Sequence, residues 1–241
     1  ASYSLDTLSF VNGRYDLSFE VKQVDDNSTV ISEIRSVYII NSQAILIHSW
    51  TVIANETWTA DLIHVIDGKL RIVSGACVTI EPGAIVKFGI AASLYVEDEG
   101  CLNAQGIADL PIIFTSLLDD SIGGDTNADS TMSLPAQGIW GGITGPGTIV
   151  LNEYSELRFL TVTHSGTLGS NELWRGHMMH HITGDITVPA EAVLTILPGA
   201  IIKFDAGRKL TVEAGGELAA WCELSLPIVF TSIKDDSYGG D

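Results

Sequence analysis

The sequence predicts an all-β chain in which a parallel β-helix (a solenoid) follows a small β-sandwich-like segment. Three observations carry this: a long internal repeat, apolar runs too short for helices, and a fixed spacing between those runs. Residues 58–125 align without a gap on residues 174–241, at an offset of 116 and with 31 identities over 68 positions. The identities include Pro82-Gly83-Ala84 with Pro198-Gly199-Ala200, Lys87-Phe88 with Lys203-Phe204, and Phe114-Thr115-Ser116 with Phe230-Thr231-Ser232. The match reaches upstream to His48-Ser49 with His164-Ser165 and Asn55-Glu56 with Asn171-Glu172. Self-similarity at one fixed period is the mark of a repeat architecture.

Inside the first copy the apolar runs are 70–73, 78–80, 85–88, 94–96, 101–104 and 112–115, with Gly75, Pro82-Gly83, Gly89 and Gly100 between or beside them. Runs of this length, rich in Val, Ile, Phe and Thr and bounded by Gly or Pro, are strands. Leu70-Arg71-Ile72 and Val78-Thr79-Ile80 alternate apolar and polar, which buries one face and wets the other. Strands this short cannot each bury a core. Winding the chain into a coil solves the problem, because each turn stacks on the last and the inward side chains share one column. A shift of 24 places Leu70 on Leu94 and Val78 on Leu102, so three strand pieces make one coil.

The phrases Leu194-Thr195-Ile196, Pro198 to Phe204, Leu210-Thr211-Val212 and Trp140-Gly141-Gly142-Ile143 resemble the right-handed parallel β-helix repeat proteins of bacterial cell surfaces. The resemblance covers residues 58–241. It implies a right-handed coil, but not a function, because such coils carry lyases, hydrolases, adhesins and inert spacers.

The chain divides into residues 1–47 and residues 48–241. In the first part 7–11, 15–24 and 30–40 are strand-like, with Asn12-Gly13 and Asp25-Asp26-Asn27-Ser28 as turns. Asn12 to Leu17 running on to Val37 to Asn41 resembles the last strands of a bacterial immunoglobulin-like domain, of which only about half the usual seven strands are present. This segment is expected either to cap the helix as a small sheet or to borrow strands from elsewhere, and a fragment of a longer multidomain protein would explain both ends of the chain. In the second part residues 119–137 form a polar loop, and 139–143, 148–151 and 157–163 another coil. Residues 165–171 are expected as a loop. The second copy stops in mid-repeat, which favours end-to-end self-association through open strand edges.

Twelve Lys and Arg stand against 30 Asp and Glu, a net charge of −18. Without a basic patch to displace counterions, nucleic acid and anionic membrane surfaces are not expected partners. No apolar run approaches the roughly 20 residues that cross a bilayer, so no membrane insertion is expected. The balance suits divalent cations and an extracellular or cell-surface setting. Ala1-Ser2 does not resemble a native start, so the chain is expected to be processed or cut from something longer. Cys77 and Cys101 differ by the coil shift of 24, which makes them vertical neighbours within disulfide range or simply two small residues in a ladder. Cys222 has no evident partner.

The strongest chemical candidate is the acidic loop running from Asp119 to Ser130. Asp125, Asn127 and Asp129 have the alternating oxygen spacing of calcium loops, with Asp119 and Asp120 beside them. The Gly and the distal Glu of a full EF-hand loop are missing. The competing reading is a solvated turn whose Asp side chains hold local amides. Calcium is therefore the expected cofactor, with Asp119, Asp120, Asp125, Asn127 and Asp129 as its ligands.

His177-Met178-Met179-His180-His181 invites a zinc reading, but adjacent strand residues point to opposite faces, so a structural role is expected. Lys87 and Lys203 occupy equivalent positions and are expected as a surface ladder. Trp58 and Trp174 are expected to pack at a coil corner. β-Helix pectin hydrolases share several catalytic segments, of which only the paired Asp residues, Asp119-Asp120 and Asp235-Asp236, occur here. No triad, phosphate loop or cofactor fingerprint is present either. The sequence thus favours an extracellular structural or adhesive element. The alternatives are a polysaccharide-binding or polysaccharide-cleaving β-helix with a calcium loop, and a pure spacer.

Overall fold

The computed structural model describes residues 13–17, 20–22, 29–31, 35–39, 44–49, 51–130, 132–222 and 226–239. The chain forms two compact units, residues 1–44 and 45–241. All regular structure among the described residues is β.

In the first unit β1 (Gly13–Leu17) pairs antiparallel with β4 (Arg35–Ile39), and β2 (Glu20–Lys22) pairs antiparallel with β3 (Thr29–Ile31). The strand expected over 7–11 and the turn over 25–28 lie outside the described residues, as do Asn12 and Trp50.

β5 (Ala44–His48) begins at the boundary and lies in the second unit but for its first residue, followed there by β6 (Glu56–Trp58), β7 (Leu62–Ile66), β8 (Lys69–Ile72) and β9 (Cys77–Ile80). β10 (Ile85–Phe88), β11 (Ser93–Val96), β12 (Cys101–Ala104) and β13 (Ile112–Ser116) follow. Every third strand returns to the same sheet: β7, β10 and β13 lie in one, β8 and β11 in a second, β6, β9 and β12 in a third. The pairings within these sheets are parallel. Strands stacked in this rotation are compatible with a parallel β-helix. The excursion of residues 117–139 then leaves the stack. The chain returns as β14 (Ile143–Thr144) on β11, β15 (Thr148–Leu151) on β12 and β16 (Ser155–Leu157) on β13.

The second copy runs through β17 (Thr161–Thr167), β18 (Glu172–Trp174), β19 (Met179–Val188), β20 (Val193–Ile196), β21 (Ile201–Phe204), β22 (Leu210–Val212), β23 (Glu217–Ala220) and β24 (Val229–Ser232). β19 covers the ground of two strands, pairing with β21 through 179–182 and with β22 through 186–188. In the first copy β7 and β8 are separated at Gly68, whose φ of 98° only glycine adopts freely. The second copy has Thr183-Gly184 at that corner, and β-branched Thr183 favours extended backbone. β17 extends to Thr167 through a register shift between His164 and Gly166, so the loop expected over 165–171 begins as strand.

The register pairs Leu70 with Leu94, Ile72 with Val96 and Val78 with Leu102, all buried, while Arg71 and Thr79 between them point outward. The 24-residue shift and the alternation therefore select the same inward column. Burying one such Val, Leu or Ile contributes about 1.5–3 kcal/mol. The apolar core divides into one cluster from Val52 to Met178 and a second from Leu168 to Ile202. Cys101 lies opposite Cys77 in the β9–β12 register, and the two form a disulfide. The second copy carries Val193 and Glu217 at these places. Cys222 is free and exposed.

Candidate metal centre

The acidic loop is hung from the stack by a buried lysine. Lys87 and Lys203, expected on the surface, are each 0 % exposed, which corrects that reading. In β10, Ile85-Val86-Lys87-Phe88 buries three consecutive side chains, so the lysine does not face outward as strict alternation would place it. Its Nζ donates to the carbonyl oxygens of Asp119 at 2.9 Å and Gly124 at 2.7 Å. Burial pulls the Lys87 pKa down to about 8, against the opposing pull of Asp119, Asp120 and Asp125. Gly123 has a φ of 71°, and a side chain there would meet Ile63 Cδ1 at 3.0 Å and Lys87 Cε at 3.4 Å. A glycine is thus required for the loop to close over the lysine.

Asp119 is buried and turned inward. Its carboxylate accepts from Thr115 Oγ1 at 2.6 Å, from the Ser121 amide at 3.1 Å and from Ser121 Oγ. The second copy repeats the arrangement: Asp235 accepts from Thr231 Oγ1, the Ser237 amide and Ser237 Oγ. Those hydrogen bonds, led by the one from Ser237, hold the Asp235 carboxyl below its ordinary pKa. The shared segment from Thr115 to Ser121, repeated at Thr231 to Ser237, is therefore a turn-building unit. Asp119 is engaged in that turn and is not one of the clustered metal-capable carboxylates.

Asp120, Asp125 and Asp129 do converge, with one oxygen from each lying within 4.8 Å of the others. This cluster could hold a metal ion. Asp125 shapes the loop, accepting from the Asp129 amide at 3.1 Å and the Ser130 amide at 2.8 Å. The backbone turns through left-handed residues at Ala128 (φ 59°) and Ser130 (φ 64°), which brings Asp129 back towards Asp125. Asn127 Nδ2 donates to Asp129 Oδ2 at 2.9 Å and Ser133 Oγ at 3.1 Å. Asp120 Oδ1, Asn127 Oδ1 and Asp129 Oδ1 are buried with no hydrogen-bond partner among the described residues. Buried oxygens without donors are costly, and a cation would relieve the cost. The donor set is all oxygen, which suits a hard divalent ion. Of the five expected ligands, Asp120, Asp125 and Asp129 converge, Asn127 bonds Asp129, and the Asp119 carboxylate is taken up by Thr115 and Ser121. In the second copy Asp241 lies outside the described residues.

The three neighbouring histidines do not form a site. His180 is buried against His164, His181 bonds Asp205 at 2.8 Å, and His177 faces Glu156 at 4.0 Å. Opposite faces of β19 separate His180 from His181, as the alternation expects. Trp58 and Trp174 are buried, each donating to a glutamate two residues earlier, and Trp140 stacks on Phe88 at 4.1 Å. Trp221 is exposed.

The class these features define is an all-β chain of stacked parallel strands bearing an acidic, metal-capable loop. No family model matches the chain, and neither a curated protein nor a solved structure matches it. No helix among the described residues is long and apolar enough to cross a membrane. The Cys77–Cys101 disulfide suggests a non-cytoplasmic protein.

Proposed function

We propose that this chain is a right-handed parallel β-helix serving as an extracellular structural or adhesive surface element, with a calcium ion fastening the 119–130 loop to its side. The observation that supports it best is the contrast between equivalent faces of the two copies. Leu102 and Phe114 are buried beneath β15 and β16, whereas their counterparts Leu218 and Phe230 are 37 % and 49 % exposed. β23 and β24 offer an outer edge with no partner strand among the described residues. A parallel edge with apolar neighbours favours further coils stacking on it, whether from the same chain or from another copy. Calcium fits the loop because Asp120, Asp125, Asp129 and Asn127 supply only oxygen, in a set that water would complete to six or more ligands.

Sedimentation velocity across a concentration series tests the structural part. Self-association that is lost on Phe230→Glu supports stacking through this edge. A monomer at all concentrations counts against it.

Polysaccharide binding is the second reading. It draws on a groove beside the junction of the copies, lined by Glu153, Glu156, Arg175 and His177. Retention on an acidic glycan that disappears with Arg175→Ala favours this alternative.

A further inference from the structure

Each repeat sets a pair of imidazoles against its core: His48, His64 and His180 are buried and His164 is half-buried. In the first, His48 Nε2 lies 2.9 Å from His64 Nδ1, and His64 Nε2 lies 3.0 Å from the Thr59 carbonyl oxygen. In the second, His164 Nε2 lies 2.9 Å from His180 Nδ1, and His180 Nε2 lies 3.0 Å from the Arg175 carbonyl oxygen. Both pairs rest on a buried tryptophan. Trp58 has ring centroids 4.1 Å from His48 and 5.2 Å from His64, and Trp174 lies 4.3 Å from His164 and 5.2 Å from His180.

The carbonyls decide the protonation pattern. A carbonyl only accepts, so His64 and His180 donate from Nε2 and, when neutral, must accept at Nδ1. His48 and His164 therefore donate from Nε2 into the pair. Each chain of hydrogen bonds ties β5 or β17 to the neighbouring strand and onward to the corner at Thr59 or Arg175. One added proton can be taken up by moving the His48 or His164 hydrogen to Nδ1, so that its Nε2 accepts; a second proton in the pair places two donors face to face and breaks the chain.

We propose that the two histidine pairs are acid-sensitive latches, closed while all four rings are neutral and opened when acid protonates them. The surroundings favour the neutral form. Burial, followed by the neighbouring imidazole, brings His48 to about 4. Burial also brings His180 to about 4, against the donor contact to Arg175 and with a smaller contribution from His164. His64 and His164 are lowered as well, chiefly by burial. The facing charges oppose this only in part: Glu56 and Asp61 around His64, and Glu172 beside His164. From the adjoining strands, β10 sets Val86 opposite His64 and β21 sets Ile202 opposite His180, neither charged.

Because the folded values lie below the ordinary 6.5, the unfolded chain binds more protons between about 6.5 and about 4. The contribution to stability is complete above the upper bound and is lost as pH falls towards the lower one. With one ring of each pair at about 4, the unfolding constant should rise by at least roughly twentyfold per pair between pH 7 and pH 5, above the range where most carboxylates titrate.

The test is denaturant unfolding of the 241-residue chain at pH 7 and pH 5. The comparison is a variant with both pairs made apolar, His48→Phe, His64→Leu, His164→Phe and His180→Leu. The proposal expects a steep loss of stability in the wild type and most of that loss abolished in the variant. An equal loss in both overturns it. If the fourfold variant does not fold, the two single-repeat variants are compared, each expected to remove about half of the pH dependence. Imidazole titration by NMR provides an independent reading: His48 and His180 titrating near the ordinary histidine value would overturn the proposal regardless of the variants.

Discussion

Lys87 shows how a single side chain can decide the geometry of a loop. Its ammonium satisfies two carbonyls at opposite ends of the turn, those of Asp119 and Gly124, from a position with no exposure. Replacing it by Ala removes buried methylenes and leaves both carbonyls short of a donor, so Lys87→Ala should destabilise by about 2–5 kcal/mol. Lys87→Met keeps most of the packing and should cost less, about 1–3 kcal/mol. Urea unfolding of the three proteins checks this, and a change below about 0.5 kcal/mol for Ala, ordinary for a surface site, would return Lys87 to the surface role that the repeat suggested. Gly123→Ala faces both a positive φ and the Ile63 side chain, and should loosen the same turn. The lysine's burial was not legible in the sequence. Equivalent positions in two copies are compatible with an outward ladder and with two inward anchors, and only the folded path of residues 119–124 distinguishes them.

Among the elements, β9 and β12 are tied by both packing and covalent chemistry. Val78 and Leu102 stack at 0 % exposure, and Cys77 and Cys101 bridge the same two strands. Leu102→Ala should cost about 2–5 kcal/mol. Opening the disulfide, which closes a loop of 24 residues, should cost roughly 3 kcal/mol. Melting with and without reductant, set against Cys77→Ser/Cys101→Ser, measures the second. An unchanged melting temperature would show that the stacked strands hold the register without help. The strand positions around these cysteines were readable from alternation and turn residues. β6 and β7 were not, because Glu56-Thr57-Trp58 and Leu62-Ile63-His64-Val65-Ile66 lack the alternation of the later runs. His64 is buried and Val65 beside it is buried too, so both faces of β7 are covered and the polar–apolar period disappears.

For the whole molecule, the metal-capable loop and the stacked strands make separate predictions. If calcium occupies the Asp120, Asp125 and Asp129 cluster, millimolar calcium should raise the melting temperature relative to EDTA, and Asp125→Ala should remove the difference. Binding at a hundred times the dissociation constant would be worth about 2.7 kcal/mol. Identical melts in calcium and EDTA would leave the loop as a self-contained turn, its Asp125 carboxylate holding the Asp129 and Ser130 amides. The strand stack should be indifferent to that result, because its core clusters contain none of the loop carboxylates.

The sequence by itself determined the repeat, the all-β character, the 24-residue stacking of Leu70 on Leu94 and the acidic loop, because these depend on spacing and local turn chemistry alone. The tertiary structure decided what depends on approach between distant residues. It joined Cys77 to Cys101, set Lys87 beneath Gly124, withdrew Asp119 into a turn and brought Asp120 to Asp129. It also paired His48 with His64 and His164 with His180, partners 16 residues apart that no local pattern connects. Spacing fixes which residues share a face, whereas the corners of the path fix which side chains meet.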